Sequence, residues 1–139
     1  MLTLEYAPHH AEIARRNIDA AGVGERVEIR VGPALDSLDA MIAAGEAPFD
    51  MIFIDADKAN SARYLERAMQ MSCPGTMLLF DNVVREGRVV ERVDGDPAVD
   101  GICRMVEAVG GLRLRATAIQ TVGAKGWDGF LLARVEADA

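Results

Sequence analysis

The chain has 139 residues, half of them apolar and 27% charged, with a formal net charge of −7. This is the size and composition of a single globular domain with its own core, residues 1–139. The acidic balance argues against nucleic acid or an anionic membrane as partner, since both select for excess Lys and Arg. No apolar run approaches the ~18 residues of a membrane span.

The N-terminus lacks the basic and long apolar regions of a secretory leader, so the expected location is the cytoplasm. Cys73 and Cys103 each sit beside apolar residues and read as reduced, buried thiols.

Leu2–Glu5 is a short apolar run that stops at Tyr6-Ala7-Pro8. Pro8 suits the first turn of a helix, where its missing N–H costs nothing. Ala11, Ala14, Ile18 and Ala21 recur at helical spacing up to Gly22. Val27–Val31 alternates as a strand and ends at Gly32-Pro33, and a second helix spans Ala34–Ala44. Phe49–Ile54 is a third strand, followed by Asp55-Ala56-Asp57-Lys58 and a helix over Ser61–Met71. Thr76–Phe80 is a fourth strand, ending on Asp81-Asn82. A loop from Val83 to Asp94 leads to Asp96-Pro97, a helix cap and first turn, and Val99, Ile102, Val106 and Val109 form one apolar face. Two strands close the chain, Leu112–Gln120 and Gly129–Val135, joined by a turn-rich linker.

Alternation of this kind predicts an α/β doubly wound fold, with a mostly parallel sheet covered by helices on both faces. Ligands in open α/β sheets bind beyond the carboxyl ends of the strands. Glu5, Asp55 and Asp81 all fall at such ends, with Lys58 and Asn82 just beyond. Asp55, Asp81 and Asn82 offer oxygen donors alone, which suits a hard cation such as Mg²⁺ or Ca²⁺. A lysine beside a bound cation is disfavoured as ammonium and can serve as general base, which points to Lys58. The plain alternative is that each Asp caps the helix after its strand. Glu5 suits hydrogen bonds from ribose hydroxyls, or simply the positive end of the next helix.

Other features read as structural. His9 and His10 lack the i, i+4 spacing of a helical metal pair. Gly22 and Gly24 follow a helix rather than a strand, so they do not form a phosphate loop. Met69, Met71 and Met77 read as core filling.

The segments TLEYAPHHAEIARRNIDAAG, RVEIRVGPALDSL, FDMIFIDADKAN and LLFDNVVREGRV together resemble the cation-dependent O-methyltransferases. That family includes the caffeoyl-CoA and catechol O-methyltransferases. The resemblance implies a Rossmann-like class I methyltransferase fold with an antiparallel strand at its C-terminal end. It implies that Glu5 binds the ribose of S-adenosylmethionine, that Gly32 and Ala34 pack around the adenine, and that Asp55 takes part in both cofactor binding and catalysis. It further implies that Asp55, Asp81 and Asn82 hold a divalent cation (Mg²⁺, with Ca²⁺ or Mn²⁺ as alternatives), and that Lys58 accepts a proton. The implied acceptor is a small aromatic diol, and the implied assembly a homodimer.

In that family helices, a first central strand and a glycine-rich cofactor loop precede the strand ending at Glu5. The expectation is therefore that Met1 begins inside the fold, and that this chain alone binds S-adenosylmethionine poorly and turns over weakly. The alternative is a non-catalytic remnant that serves as a binding or dimerising module. A nicotinamide-dependent dehydrogenase also uses a strand-end acid, but it leaves DADK and DN unexplained. Trp127, in GAKGWDG, is placed either in the acceptor pocket or in packing.

Overall fold

The structure, a computed structural model, describes residues 1–46, 48–92, 95–124 and 126–137. They form two compact units, residues 1–46 and 47–139.

In the first unit, strand β1 (Leu2–Glu5) pairs in parallel with β2 (Glu28–Val31), with Glu5 opposite Val31. Helix α1 (Pro8–Ala20) connects them by way of a short 3₁₀ turn at Gly24–Arg26, and α2 (Ala34–Ala43) follows β2. Pro8 occupies the first turn of α1 as its fixed φ predicts. Gly22 lies just past the end of that helix at φ +72°, the left-handed backbone that ends helices. The buried apolar residues are Ala11, Val27, Leu35 and Met41.

The second unit is built on a four-stranded sheet in the order β3-β4-β6-β5. Strand β3 (Met51–Ile54) runs parallel to β4 (Met77–Asp81), and β6 (Gly126–Val135) runs antiparallel to both β4 and β5 (Leu114–Gly123). Helix α3 (Ser61–Gln70) joins β3 to β4, and the short α4 (Arg88–Glu91) and long α5 (Pro97–Val109) lead to β5. One sheet face supplies buried Leu78, Phe80, Leu131, Ala133 and Val135. These share the core with Tyr64, Leu65 and Ala68 of α3 and with Val99, Ile102 and Met105 of α5. Buried Thr76 ties the start of β3 to this core, its hydroxyl donating to the Phe49 carbonyl at 2.6 Å.

Four expectations are revised. Side chains alternate along a strand, so the second face of this sheet carries Met51 and Phe53 opposite Met77 and Leu79. Met51 and Phe53 are each 58% exposed, so this face is not covered as the apolar strands suggested. The turn-rich linker before Gly129 is instead strand, because Thr121, Val122 and Gly123 pair with Asp128, Trp127 and Gly126 and extend the hairpin to its tip. Cys73 and Cys103 are free but only half-buried. Part of the expected 83–94 loop is helical, with a 3₁₀ turn at Arg85–Gly87 before α4, while Val93 and Asp94 lie outside the described residues. Among the described residues no helix is long and apolar enough to cross a membrane.

Candidate active site

The strand-end residues fall into two clusters, one in each unit. In the first, the Gly32 N–H donates to the Glu5 carbonyl at 2.9 Å, which brings Gly32 beside the end of β1. Ala34 opens α2 two residues later. Gly32 has φ +145°, and a Cβ there would meet nothing within 4 Å, so the space over this turn is open. Glu5 is partly engaged already. Its Oε1 accepts the Ala7 N–H at 2.7 Å, at the threshold of α1, and His10 Nδ1 lies 3.7 Å away. The helix-end role and an acceptor role towards ribose are compatible, because a carboxylate has two oxygens.

In the second cluster, β3 and β4 pair through Ile54 opposite Phe80. Asp81 is the last residue of β4 and Asp55 the first beyond β3, so parallel register sets two carboxylates at adjacent strand ends. Asn82 follows at φ +55°, a left-handed conformation that Asn tolerates better than most residues, and its N–H donates to Asp81 Oδ1 at 2.7 Å. Lys58 returns its ammonium to Asp55 Oδ1 at 2.9 Å, and the lysine side chain is only 12% exposed.

The second carboxylate of the DADK motif has a different task. Asp57 Oδ1 accepts both the backbone N–H of Asn60 (3.2 Å) and its side-chain amide (2.8 Å), while Oδ2 accepts the Tyr64 hydroxyl at 2.6 Å. These bonds form the 3₁₀ turn Lys58–Asn60 and pin it to α3. Burial, with the bond to Asp57 added, holds the Tyr64 hydroxyl protonated well above the ordinary phenol range. Gly101 of α5 faces the same turn, and a Cβ there would stand 2.1 Å from the Lys58 carbonyl oxygen. Sequence reasoning missed Asp57 and Gly101 as positioning residues. The Asp-x-x-Asn spacing of a capped turn carries the signal for Asp57, whereas nothing in the sequence marks Gly101.

The donor set fits a hard cation in kind, with two carboxylates and an amide oxygen. Among the described residues no three His, Cys, Asp or Glu side chains gather closely enough to hold an ion on their own. Any cation here therefore depends on Asn82 and on water or acceptor oxygens to complete its shell.

Beside Asn82 opens a cavity of about 550 Å³, lined by Arg85, Arg88, Trp127 and Asp128 among others. Its wall is a strained loop, with Arg85 at φ +53° and Glu86 at φ +56°. Non-glycine residues in this region cost of order 1–3 kcal/mol each and persist where surrounding structure enforces them. Asp128 does so here, because its Oδ1 accepts the N–H groups of Val84 (3.1 Å), Arg85 (2.9 Å) and Gly129 (2.9 Å). Gly87 then packs on Trp127 so closely that a Cβ would lie 2.8 Å from the indole ring. Trp127 therefore packs the loop, as one of the two readings expected, and also lines this cavity.

Residues 1–134 match the family model described as O-methyltransferase. The chain belongs to the O-methyltransferase family. This O-methyltransferase chain is 49% identical over 138 residues to a catechol O-methyltransferase of Mycobacterium tuberculosis, covering 97% of itself and 60% of that relative. It is 44% identical over 137 residues to a catechol O-methyltransferase of Niastella koreensis, covering 98% of itself and 62% of the relative. A crystal structure of a Bacillus cereus O-methyltransferase in complex with SAH superposes with a TM-score of 0.94 at 51% identity, over 97% of this chain and 62% of the other. The family, and the α/β fold with a mixed sheet, are those expected from DADK, DN and the strand order. The chain spans about three-fifths of the length of these relatives.

Proposed function

We propose that this chain carries the cation- and acceptor-handling part of an S-adenosylmethionine-dependent O-methyltransferase, which methylates one of two vicinal hydroxyls on a small aromatic acceptor. The observation that carries this reading is the pairing of Asp55 and Asp81 at adjacent parallel strand ends, with Lys58 held on Asp55 and Asn82 next to Asp81.

Each residue then has a stated task. Glu5 accepts hydrogen bonds from ribose hydroxyls with the carboxylate oxygen that Ala7 leaves free, and Gly32 and Ala34 leave room for the adenine. Asp55, Asp81 and Asn82 hold the divalent cation, Mg²⁺ by preference, and their contacts orient the acceptor. When bound, that ion supplies positive charge that favours the ionised form of a neighbouring hydroxyl. With a cation bound, Asp55 would turn to it and release Lys58, and an amine that had first given its ammonium proton to water would accept the hydroxyl proton. S-Adenosylmethionine supplies the methyl group from its sulfonium sulfur, and the chain's contribution to that displacement is alignment of the two reactants. On this reading the two units are parts of one methyltransferase domain, and the protein works in the cytoplasm.

The test is mass-spectrometric detection of monomethylated product after incubation with S-adenosylmethionine, Mg²⁺ and an aromatic diol. Product that Lys58→Met lowers by about 100-fold, within the usual worth of a general base, supports the assignment. Product formed equally by the Asp55→Ala/Asp81→Ala variant overturns it.

The exposed Met51 and Phe53 favour a second reading, a non-catalytic module that associates through its uncovered sheet face, as a homodimer in the simplest case. A folded chain that forms no product but sediments as a dimer supports that reading instead.

A further inference from the structure

Asn82 stands in its left-handed conformation, at φ +55°, between two anchored neighbours. Asp81 before it pairs with Phe130 on β6, and the Val83 N–H after it donates to the Gly129 carbonyl at 3.0 Å. The next two residues, Val84 and Arg85, give their N–H groups to Asp128 Oδ1 at 3.1 and 2.9 Å. Gly129 lets the loop lie this close to the hairpin. A Cβ there would meet Val84 Cγ2 at 2.6 Å and the Ile119 carbonyl oxygen at 2.3 Å. A non-glycine residue keeps a left-handed backbone where its surroundings enforce it, and Asp128 supplies that enforcement just past Asn82.

The consequence falls on Asp81. In this conformation the Asn82 N–H lies on Asp81 Oδ1 at 2.7 Å, which leaves Oδ2 as the freer oxygen of that carboxylate. Ca²⁺ takes many oxygens in flexible arrangements and gains from bidentate carboxylates. Mg²⁺ demands a stricter geometry, takes few protein oxygens and keeps several waters. From this we infer that Asp128 is a positioning residue that sets the cation preference of the strand-end site. By holding the loop after Asn82 it keeps Asp81 to a single oxygen, and so favours Mg²⁺ over Ca²⁺. Without Asp128, Asn82 relaxes and Asp81 Oδ1 is freed for a second bond to the larger ion. The inference rests on the proposed cation reading and adds a residue that acts through Asn82 and Asp81 rather than by holding the ion.

The experiment is calorimetric titration of Mg²⁺, and separately of Ca²⁺, into the folded chain and three variants. The unsubstituted chain should bind Mg²⁺ more tightly than Ca²⁺. Asp128→Ala should lower the ratio of the two affinities by about tenfold, the lower end of what an outer partner of a metal site is worth. Asp128→Asn keeps an oxygen for the same N–H groups and should restore most of the ratio. Ile102→Val trims the buried core of α5, outside the loop and hairpin, and should leave the ratio unchanged. Four outcomes overturn the inference: no Mg²⁺ preference in the unsubstituted chain, an unchanged ratio in Asp128→Ala, no recovery in Asp128→Asn, or an equal fall in Ile102→Val. The first decides the matter even if Asp128→Ala does not fold. Absence of saturable binding of either ion to the unsubstituted chain overturns the cation reading itself, and the inference with it. Mg²⁺ binding whose preference Asp128→Ala leaves intact overturns the positioning role alone.

Discussion

Two aspartates two positions apart, Asp55 and Asp57, illustrate how one residue type is put to opposite uses. Asp57 is fully committed to Asn60 and Tyr64, whereas the side chain of Asp55 is 53% exposed and pairs with Lys58. Replacement should separate them. Asp55→Asn is expected to weaken Mg²⁺ binding by at least about tenfold, since even outer partners of a metal site are worth that much. The same change keeps an oxygen to accept from Lys58, so the melting temperature should fall less than it does in Asp57→Ala. Asp57→Ala should do the reverse, lowering the melting temperature first, and thermal melts alongside Mg²⁺ titrations check both. Titration adds a further residue-scale prediction. The Ala98 N–H, then that of Val99 and the Arg88 guanidinium, hold the Asp96 carboxyl below its ordinary value. A carboxyl depressed in the folded state adds stability above its unfolded value, and loses it as pH falls. The melting temperature should therefore drop below about pH 4, less steeply in Asp96→Asn. Tyr64 has the opposite sign: raised in the fold, it costs stability as pH climbs past about 10.

At the scale of elements, the site is held by close approaches that tolerate no added atom. Gly101 lets α5 sit against the Lys58–Asn60 turn, and Gly101→Ala would place a methyl group 2.1 Å from the Lys58 carbonyl oxygen. Overpacking of this kind costs about 1–3 kcal/mol, and a denaturant melt should show it. Asp128→Ala strips the acceptor from three backbone N–H groups, and should destabilise by a similar ~1–3 kcal/mol while loosening the loop that carries Arg85. These elements also show what the sequence made legible. Apolar runs ending on acids revealed β1, β3 and β4 and the residues at their ends, because burial on a sheet and ligand placement at its edge leave one linear signature. Pro8, Gly22 and Asp96 marked helix ends through local backbone chemistry alone. Arg85 and the extended β5–β6 hairpin were not legible for the opposite reason. The left-handed turn at Arg85 and Glu86 is imposed by Asp128, some forty residues away, and a glycine-rich hairpin tip reads locally as a loop. The positioning role of Gly101 arises from a helix crossing that no short window contains.

For the whole molecule, the uncovered sheet face is the principal consequence of this chain's packing. Met51 and Phe53 stand on strand β3, which among the described residues pairs with β4 alone. An exposed apolar face on an edge strand invites association. Phe53→Lys should accordingly shift the sedimentation distribution towards smaller species, while an unchanged distribution would show that this face is not where copies meet. On the proposed function, the polar end of the same sheet keeps Asp55, Lys58, Asp81 and Asn82 to hold a cation and accept a proton. A surface selected only for solubility has no need of two carboxylates in matched register.

The most direct test of that claim is calorimetric titration of Mg²⁺ into the folded chain and into its Asp55→Asn/Asp81→Asn variant. The strand-end site predicts saturable binding to the unsubstituted chain that the double substitution abolishes. Equal binding by both proteins, or none to the unsubstituted chain, would contradict it.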